Sequence, residues 1–277
     1  MRALVLSGGG THGAYQVGVL KHLLGDLKTH YDIVTGVSVG AINAAALAQY
    51  KKGEEQEAAL LMEDLWLSID NGSIWRHRWL PYIAALWNSS VYSTEPLREL
   101  LEENLDRQRL LTSGKLLRVA AVSLNTGLWQ VWTEQDPDIL EGVMASSAFP
   151  GMFEAIRSRN QYFTDGGVRT VTPLKDAIDA GADTIDIILT FRPGTKRVNG
   201  ELKTLKVLLR SLNIMMDEVV TNDLKICELK NNIEGYRKIQ LNIYSPSVAL
   251  EGASLDFSPS NIRYEIDLGY KDATNKE

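Results

Sequence analysis

The sequence predicts an α/β fold with a largely parallel sheet that is covered by helices on both faces. Short apolar runs that suit buried strands alternate with longer segments of helical periodicity. Such alternation is typical of strands joined by helical crossovers. At 277 residues and 44% hydrophobic content, the chain can bury one large core, and we expect a single domain over 1–277.

Periodicity and turn residues place the individual elements. We predict strands over 2–6, 32–35, 117–124, 128–133, 161–164, 184–190 and 238–244. We predict helices over 14–24, 41–50, 54–68, 94–104, 138–147, 203–231 and 261–274, and a further helix starting at Pro173. In the 54–68 helix, the residues expected on the buried face are Ala58, Leu61, Leu65 and Trp66.

The charge, the cysteine content and the hydropathy pattern of the chain limit the classes of function that it can have. The net charge is −6 and no basic cluster stands out, which argues against nucleic acid as a partner. The single cysteine, Cys227, excludes a disulfide framework and a cysteine metal cage, and we expect it to be buried. The chain shows no signal-peptide pattern and no run of about 18 apolar residues, so we expect a cytoplasmic protein with at most peripheral membrane contact. Export without a signal peptide stays open as an alternative.

Ser38 lies in a G-x-S-x-G turn, Gly36-Val37-Ser38-Val39-Gly40, between a predicted strand and a helix. This pattern is typical of a nucleophile elbow, which raises a serine hydroxyl on a sharp strand-to-helix turn. An α/β hydrolase of the usual type needs a histidine after its acid, yet none follows residue 77. If Ser38 is a nucleophile, an aspartate is therefore its natural base, and Asp165-Gly166-Gly167 offers one. The alternative is that both motifs are only structural turns.

The glycine loop Gly8-Gly9-Gly10 also admits two interpretations. With Gly13 it matches the dinucleotide fingerprint, but Asp32, the nearest acidic residue, stands at the wrong end of its strand. Nor does a Gly-Lys-Ser/Thr follow, as a phosphate-binding P-loop requires. Beside Ser38, the loop is better interpreted as an oxyanion hole, with the N–H groups of its three glycines turned outward.

Four blocks of the sequence together resemble the patatin-like phospholipase family. The blocks are 6–20 around the glycine loop, 36–40 around Ser38, 145–150 (Ala-Ser-Ser-Ala-Phe-Pro) and 165–167 around Asp165. They occur in the family's order and at roughly its spacing, over residues 4 to about 180. Two positions depart from the pattern: His12, where the family commonly has arginine, and Thr172, where asparagine often precedes the proline.

The resemblance implies a three-layer α/β/α sandwich and lipid acyl hydrolase activity by a serine–aspartate dyad, with no metal or other cofactor. Ser38 would be the nucleophile and Asp165 the general base, with a lipid or acyl ester as substrate. Two other functions stay open: a thioesterase or small-ester esterase on the same dyad, and a catalytically silent lipid-binding protein. The residues expected to support the site are His12, Gly13, Gly36, Gly40, Gly166 and Gly167.

Three further features leave alternatives open. The tryptophans Trp66, Trp75, Trp79 and Trp87 form either an interfacial belt or lid, with Trp75 and Trp79 in peripheral contact with lipid, or a satellite core or dimer contact. The apolar face of 203–217 is either core or a groove for an acyl chain. His12 either helps to hold an anion near the glycine loop or packs locally, whereas His22, His30 and His77 are expected to be solvated.

Overall fold

The fold comes from a computed structural model, which describes residues 1–74, 76–77, 92–192, 204–235, 237–250 and 256–276. Its strands are β1 (Arg2–Leu6), β2 (Ile33–Gly36), β3 (Arg76–His77), β4 (Tyr92–Ser93), β5 (Leu116–Ser123), β6 (Trp129–Trp132), β7 (Ile156–Ser158), β8 (Gln161–Asp165), β9 (Thr184–Ile188) and β10 (Gln240–Tyr244). Its helices are α1 (Gly13–Leu20), α2 (Val39–Ala48), α3 (Glu55–Ser68), α4 (Asn71–Ile74), α5 (Glu95–Asn104), α6 (Arg107–Thr112), α7 (Ile139–Ser146), α8 (Leu174–Asp179), α9 (Thr204–Asn231) and α10 (Pro259–Thr274).

The main sheet is mixed. Its described strands run in the order β10-β9-β1-β2-β5-β8-β7, with β6 also paired to β5. The five strands from β10 to β5 are mutually parallel, whereas β6, β7 and β8 pair antiparallel. The predicted parallel arrangement therefore holds for the centre of the sheet. The other side of the sheet is antiparallel, since short turns, 124–128 and 159–160, join β5 to β6 and β7 to β8, and a tight turn can connect only antiparallel strands.

Helices cover both faces of the sheet, as predicted for an α/β sandwich. Along β1 the side chains alternate between the two cores. Leu4 and Leu6 pack in a larger core with residues of α1, α2, α3, α7 and α10, and Ala3 and Val5 pack in a second core with residues of α8 and α9. The edge formed by the carboxyl ends of the parallel strands is thus held from both sides, and this edge carries Ser38.

Two predicted burial assignments are wrong. On α3, Leu61 is exposed and Met62 is buried in its place, because the buried positions Ala58, Met62 and Trp66 follow the helical period and Leu61 falls outside that stripe. His22 is buried rather than solvated. It lies where α1 continues into a wider turn over Lys21–Asp26, and its Nδ1 lies 2.8 Å from Asp26 Oδ2.

Other features of the sequence have mixed outcomes. Cys227 is buried, as expected. Trp66 is buried and its Nε1 donates to Asn43 Oδ1 at 2.9 Å, so this tryptophan belongs to the core and not to an interfacial belt. Trp75, Trp79 and Trp87 lie outside the described residues. Most of the apolar side chains in 203–217 also lie outside the described residues. Met215 is described, and it is exposed and therefore not part of the core.

Candidate active site

The turn after β2 holds Ser38 in a strained backbone conformation. Ser38 has φ 57° and ψ −131°, and a positive φ is uncommon for a residue with a side chain. The two flanking glycines make this turn sterically feasible. A Cβ on Gly36 would lie 2.0 Å from the carbonyl oxygen of Gly40, and one on Gly40 would lie 2.3 Å from that of Leu6. The geometry is that of a nucleophile elbow, with Ser38 immediately before α2.

Two serines at the end of α7 hold the backbone of Ser38 from the other side. The Ser38 N–H donates to Ser146 Oγ at 3.0 Å, and that hydroxyl donates to the carbonyl of Ala120 at 2.6 Å. The Ser147 hydroxyl lies 3.3 Å from the Ser38 carbonyl and shares its hydrogen with the carbonyl of Val143. These contacts belong to the 145–150 block, which the sequence singled out without indicating what the two serines do.

Asp165, the last residue of β8, lies beside Ser38 with no exposure to solvent. Its Oδ1 accepts from the N–H of Gly167 at 2.7 Å, whereas Oδ2 has no hydrogen-bond partner within the described residues. Burial raises the pKa of Asp165 to about 7, and the Gly167 N–H and the nearby Ser38 hydroxyl oppose this rise only in part. The hydroxyl is therefore close enough to influence the carboxyl without forming a well-aligned hydrogen bond to it.

The glycines after Asp165 allow a close approach of the chain to β5. A Cβ on Gly166 would lie 2.6 Å from the carbonyl oxygen of Ala120, the same oxygen that Ser146 binds. Gly167 supplies the N–H that orients Asp165. Thr172, further along, is buried, and its hydroxyl has no hydrogen-bond partner in the described part of the chain.

The glycine loop fits an oxyanion hole only in part. The N–H of Gly8 donates to the carbonyl of Val171 at 2.9 Å, so the prediction that it is free to bind an oxyanion is wrong. Val171 lies in the segment between Asp165 and α8, outside the strands, and its carbonyl uses this donor. Within the described residues, the N–H groups of Gly9, Gly10 and Val39 have no backbone or side-chain acceptor. Val39 follows Ser38, and a nucleophile elbow commonly supplies an oxyanion donor at that position. Val39 was not among the donors expected from the sequence.

A buried polar network fixes the glycine loop. The Thr190 hydroxyl donates to the carbonyl of Gly8, and Gln16 Nε2 donates to that of Ser7 at 2.7 Å. Asn43 Nδ2 contacts both Gln16 Oε1, at 2.9 Å, and the carbonyl of Gly13, at 3.1 Å. A Cβ on Gly13 would lie 2.3 Å from the Val39 side chain. The loop is thus positioned by side chains on α1 and α2 together with Thr190, which lies just after β9.

His12 is held by the last helix. Its Nδ1 lies 2.8 Å from Oε1 of Glu265 on α10, and Glu265 is fully buried. The other carboxylate oxygen, Oε2, has no partner among the described residues. Of the two interpretations for His12, this contact favours local packing. The sequence contains no signal for it, because the two residues are 253 positions apart.

No group of three His, Cys, Asp or Glu side chains in the described ranges is arranged to hold a metal ion. That catalysis needs no metal stays a prediction, which activity in the presence of a chelator would test. None of the described helices is long and apolar enough to cross a membrane.

Comparisons with known proteins point to one protein family. A model of the patatin-like phospholipase family matches residues 4–178. The chain is 27% identical over 197 residues to the cGAMP-activated phospholipase of Escherichia coli, over 62% of this chain and 53% of that protein. It is 30% identical over 196 residues to a patatin-like phospholipase domain-containing protein of Chaetomium globosum, over 62% of this chain and 22% of that protein. The match thus spans about half or less of these relatives. The solved structure of VipD from Legionella pneumophila covers 99% of this chain and 66% of its own at 15% identity, with a TM-score of 0.45, too distant to bear on function.

Proposed function

Because the chain belongs to the patatin-like phospholipase family, we propose that it is a serine hydrolase that cleaves carboxylic ester bonds of phospholipids or other acyl lipids. In this proposal Ser38 is the nucleophile and Asp165 its general base. One observation carries the proposal: a serine on a strained elbow lies beside a fully buried carboxyl group whose pKa is raised to about 7. A base of this pKa suits proton transfer near neutral pH, which an ordinary aspartate, with a pKa near 3.9, does not.

The reaction would proceed in two halves. Ser38 Oγ attacks the ester carbonyl carbon while its proton passes to Asp165, and the departing alcohol takes that proton as its C–O bond breaks. Water then attacks the acyl-enzyme, its proton passes through Asp165 to Ser38, and the fatty acid leaves. The N–H groups of Gly9, Gly10 and Val39 are suited to bind the oxyanion in both halves, each contributing about 3 kcal/mol to transition-state stabilisation.

The substrate class rests on the family, whose described relatives include phospholipases. A thioesterase or small-ester esterase would use the same residues, so the dyad itself does not separate these alternatives. A silent lipid-binding protein is disfavoured, since both dyad positions are filled and the Ser38 backbone is held by two serines.

The proposal is tested with a fluorophosphonate probe and a substrate panel. We expect the probe to label Ser38 and nothing else, and Ser38→Ala to abolish both labelling and hydrolysis. Asp165→Asn should lower kcat at least about a hundredfold while the fold persists. Asp176→Asn is the matched control, because Asp176 is a half-buried carboxyl that also has a raised pKa, about 6, but binds Trp129 instead of Ser38.

Release of fatty acid is then followed on phospholipids, lysophospholipids, thioesters and p-nitrophenyl esters. Faster turnover of the lipid esters supports the lipase assignment, whereas a preference for thioesters would select the alternative. Wild-type turnover in Asp165→Asn would contradict the dyad and require another base.

A further inference from the structure

Large apolar side chains are exposed at the corner of the sheet next to Asp165. Leu124 and Leu128, at the two ends of the turn between β5 and β6, are 59% and 63% exposed, and Tyr162 on β8 is 50% exposed. Two arginines, Arg157 on β7 and Arg169, are exposed alongside them. We call these five residues the hairpin rim. Clustered exposed apolar residues of this kind mark interaction surfaces more often than isolated ones do.

Backbone contacts join the hairpin rim into one surface. The N–H of Leu124 donates to the carbonyl of Tyr162 at 2.7 Å, and Tyr162 is the register partner of Arg157. On the other side of the turn, Arg169 Nη1 donates to the carbonyl of Gly127 at 3.0 Å. A row across three adjacent strands is thus formed by Leu124, Tyr162 and Arg157. Arg169 lies next to the turn between β5 and β6.

The hairpin rim projects from the edge of the sheet that carries the candidate active site. Gly36, at the end of β2, pairs with Val119, and Asp165 pairs with Ala121. Leu124 follows Ala121 by three residues along β5, which places it about 10 Å beyond the level of Asp165. Along β5, the hairpin rim therefore extends farther beyond the sheet than the level of Asp165 does.

The exposed charged residues of the segments 123–131, 156–164 and 166–172 are three arginines, although the net charge of the chain is −6. The neighbouring carboxyl groups are the buried Asp165, Asp176, which accepts from Trp129, and Asp223, which accepts from Thr170. One of the three, Arg159, pairs with Asp136 and Asp138. Within the described part of the chain, Arg157 and Arg169 have no ion-pair partner. The hairpin rim thus combines apolar side chains with two uncompensated cations.

We propose that the hairpin rim docks the protein on the surface of a bilayer that contains anionic lipid. This inference rests on the proposed function, because the ester bonds of phospholipids lie in such a surface. Leu124 and Leu128 enter the interface, and Arg157 and Arg169 lie at the level of the anionic headgroups. Apolar side chains beside cations match the chemistry of that boundary, where acyl chains lie directly beneath negative charge.

The apolar part is tested by vesicle flotation in the Ser38→Ala background, so that no lipid is consumed. Binding is measured on vesicles of phosphatidylcholine with and without phosphatidylglycerol. We expect Leu124→Ser/Leu128→Ser to weaken binding at least about tenfold. The matched control is Leu229→Ser/Ile233→Ser, which removes two exposed apolar side chains near Asn231, whose side chain bonds Ile239 at the opposite edge of the sheet. The control should bind like its parent.

The charge part uses Arg157→Gln/Arg169→Gln on the same vesicles. Two cations near an anionic surface together contribute about a 30-fold gain in binding, so this variant should lose about that factor on phosphatidylglycerol vesicles and little on phosphatidylcholine alone. Arg157→Gln alone leaves the Arg169 bond to Gly127 intact and should lose about fivefold. The control is Lys51→Gln/Lys52→Gln, which neutralises two exposed lysines just after α2 ends.

Vesicle binding that is unchanged in the rim variants, or lost equally in the controls, would overturn the docking proposal. A second outcome would also overturn it: the parent self-associates, does not bind vesicles, and loses self-association only in the rim variants. The hairpin rim would then contact a second copy of the chain. Hydrolysis of a soluble ester is measured in parallel with Ser38 intact, and it should be unaffected by the rim substitutions. Docking without hydrolysis of any ester would contradict the proposed function and leave the docking surface standing.

Discussion

Asp165 is the residue whose environment bears most on both the proposed reaction and the stability of the fold. Its carboxyl group has no exposure to solvent, and only one of its oxygens has a hydrogen-bond partner in the described residues. Burial therefore raises its pKa to about 7. The raised pKa makes the carboxylate a stronger base, and it means that the ionised form destabilises the folded state. Each of these two consequences can be measured.

The pH dependence of hydrolysis should report this raised pKa. In its proposed role as general base, Asp165 must be ionised, so kcat/KM for a soluble ester should rise about tenfold per pH unit below about 7 and level off above it. The measurement is a pH–rate profile from pH 5 to about 9. A profile that is already flat at pH 5 would show that Asp165 titrates like an ordinary aspartate and has no such role.

The stability of the fold should change in the opposite sense. In the unfolded chain Asp165 titrates near 3.9, so as the pH rises from about 4 to about 7 the unfolded state loses its proton first, and folding is progressively disfavoured. Asp165→Asn removes this effect and keeps an oxygen for Gly167. It should raise the free energy of unfolding by roughly 2–4 kcal/mol at pH 8 and by little near pH 4.

Denaturant unfolding at the two pH values measures that difference. Asp267→Asn, on the exposed side of α10, serves as the control and should change little. Equal stability of Asp165→Asn and the parent at pH 8 would mean that the carboxyl is better solvated than its burial indicates.

Among the secondary-structure elements, α7 and the residue that follows it hold the backbone of Ser38, the proposed nucleophile, in place. Its Ser146 hydroxyl accepts from the N–H of Ser38 and donates to the carbonyl of Ala120, which makes it a bridge between the elbow and β5. Ser147 makes a weaker, shared contact with the Ser38 carbonyl. The strained backbone of Ser38 is thus maintained from outside its own turn.

Ser146→Ala should accordingly affect both stability and rate. It removes the acceptor of the Ser38 N–H and the hydroxyl that donates to the Ala120 carbonyl, so we expect a loss of about 2 kcal/mol in the free energy of unfolding and about tenfold in kcat. Ser147→Ala is the matched comparison, with a smaller effect on both, because the N–H of Ser147 keeps its bond to the carbonyl of Val143. Thermal unfolding and ester kinetics measure the two quantities. An equal loss in both variants would refute a specific bridging role for Ser146.

At the scale of the whole molecule, the two ends of the chain meet at the glycine loop. Glu265 on α10 holds His12, which follows Gly10 by two residues, and α10 lies beyond the 4–178 range of the family match. The C-terminal helix therefore contributes to the support of the candidate oxyanion hole. Because Glu265 is fully buried, its loss cannot be replaced by solvent.

Glu265→Ala should loosen the loop and lower kcat for a soluble ester about tenfold, with KM little changed, since the loop acts on the transition state rather than on substrate binding. Glu265→Gln keeps an oxygen acceptor for His12 and should retain most of the rate. Michaelis–Menten kinetics of the two variants separate these effects, and Asp267→Ala on the same helix is the control. A rise in KM with unchanged kcat would instead place Glu265 in substrate binding.

The elements themselves were largely predictable, because they depend on neighbouring residues. The strands around β1, β2, β5 and β9 and the elbow at Ser38 follow from apolar runs and glycine turns, which act over a few positions. Short elements such as α6 and β7 were not predicted, because an element of three to six residues is too short to show a hydrophobic period. The role of Trp75 and Trp79 at a lipid surface stays a prediction.

The sequence by itself determined which residues carry the candidate chemistry: Ser38, Asp165 and the glycines that surround them. Only the tertiary structure decided how these residues are buried and which hydrogen bonds they make. Burial of Asp165 depends on β5, β8 and the 166–172 segment closing around it, the loss of the Gly8 donor depends on Val171, and the partner of His12 comes from α10. Desolvation and hydrogen bonding act between residues that are close in space but far apart in the chain, so no local pattern records them.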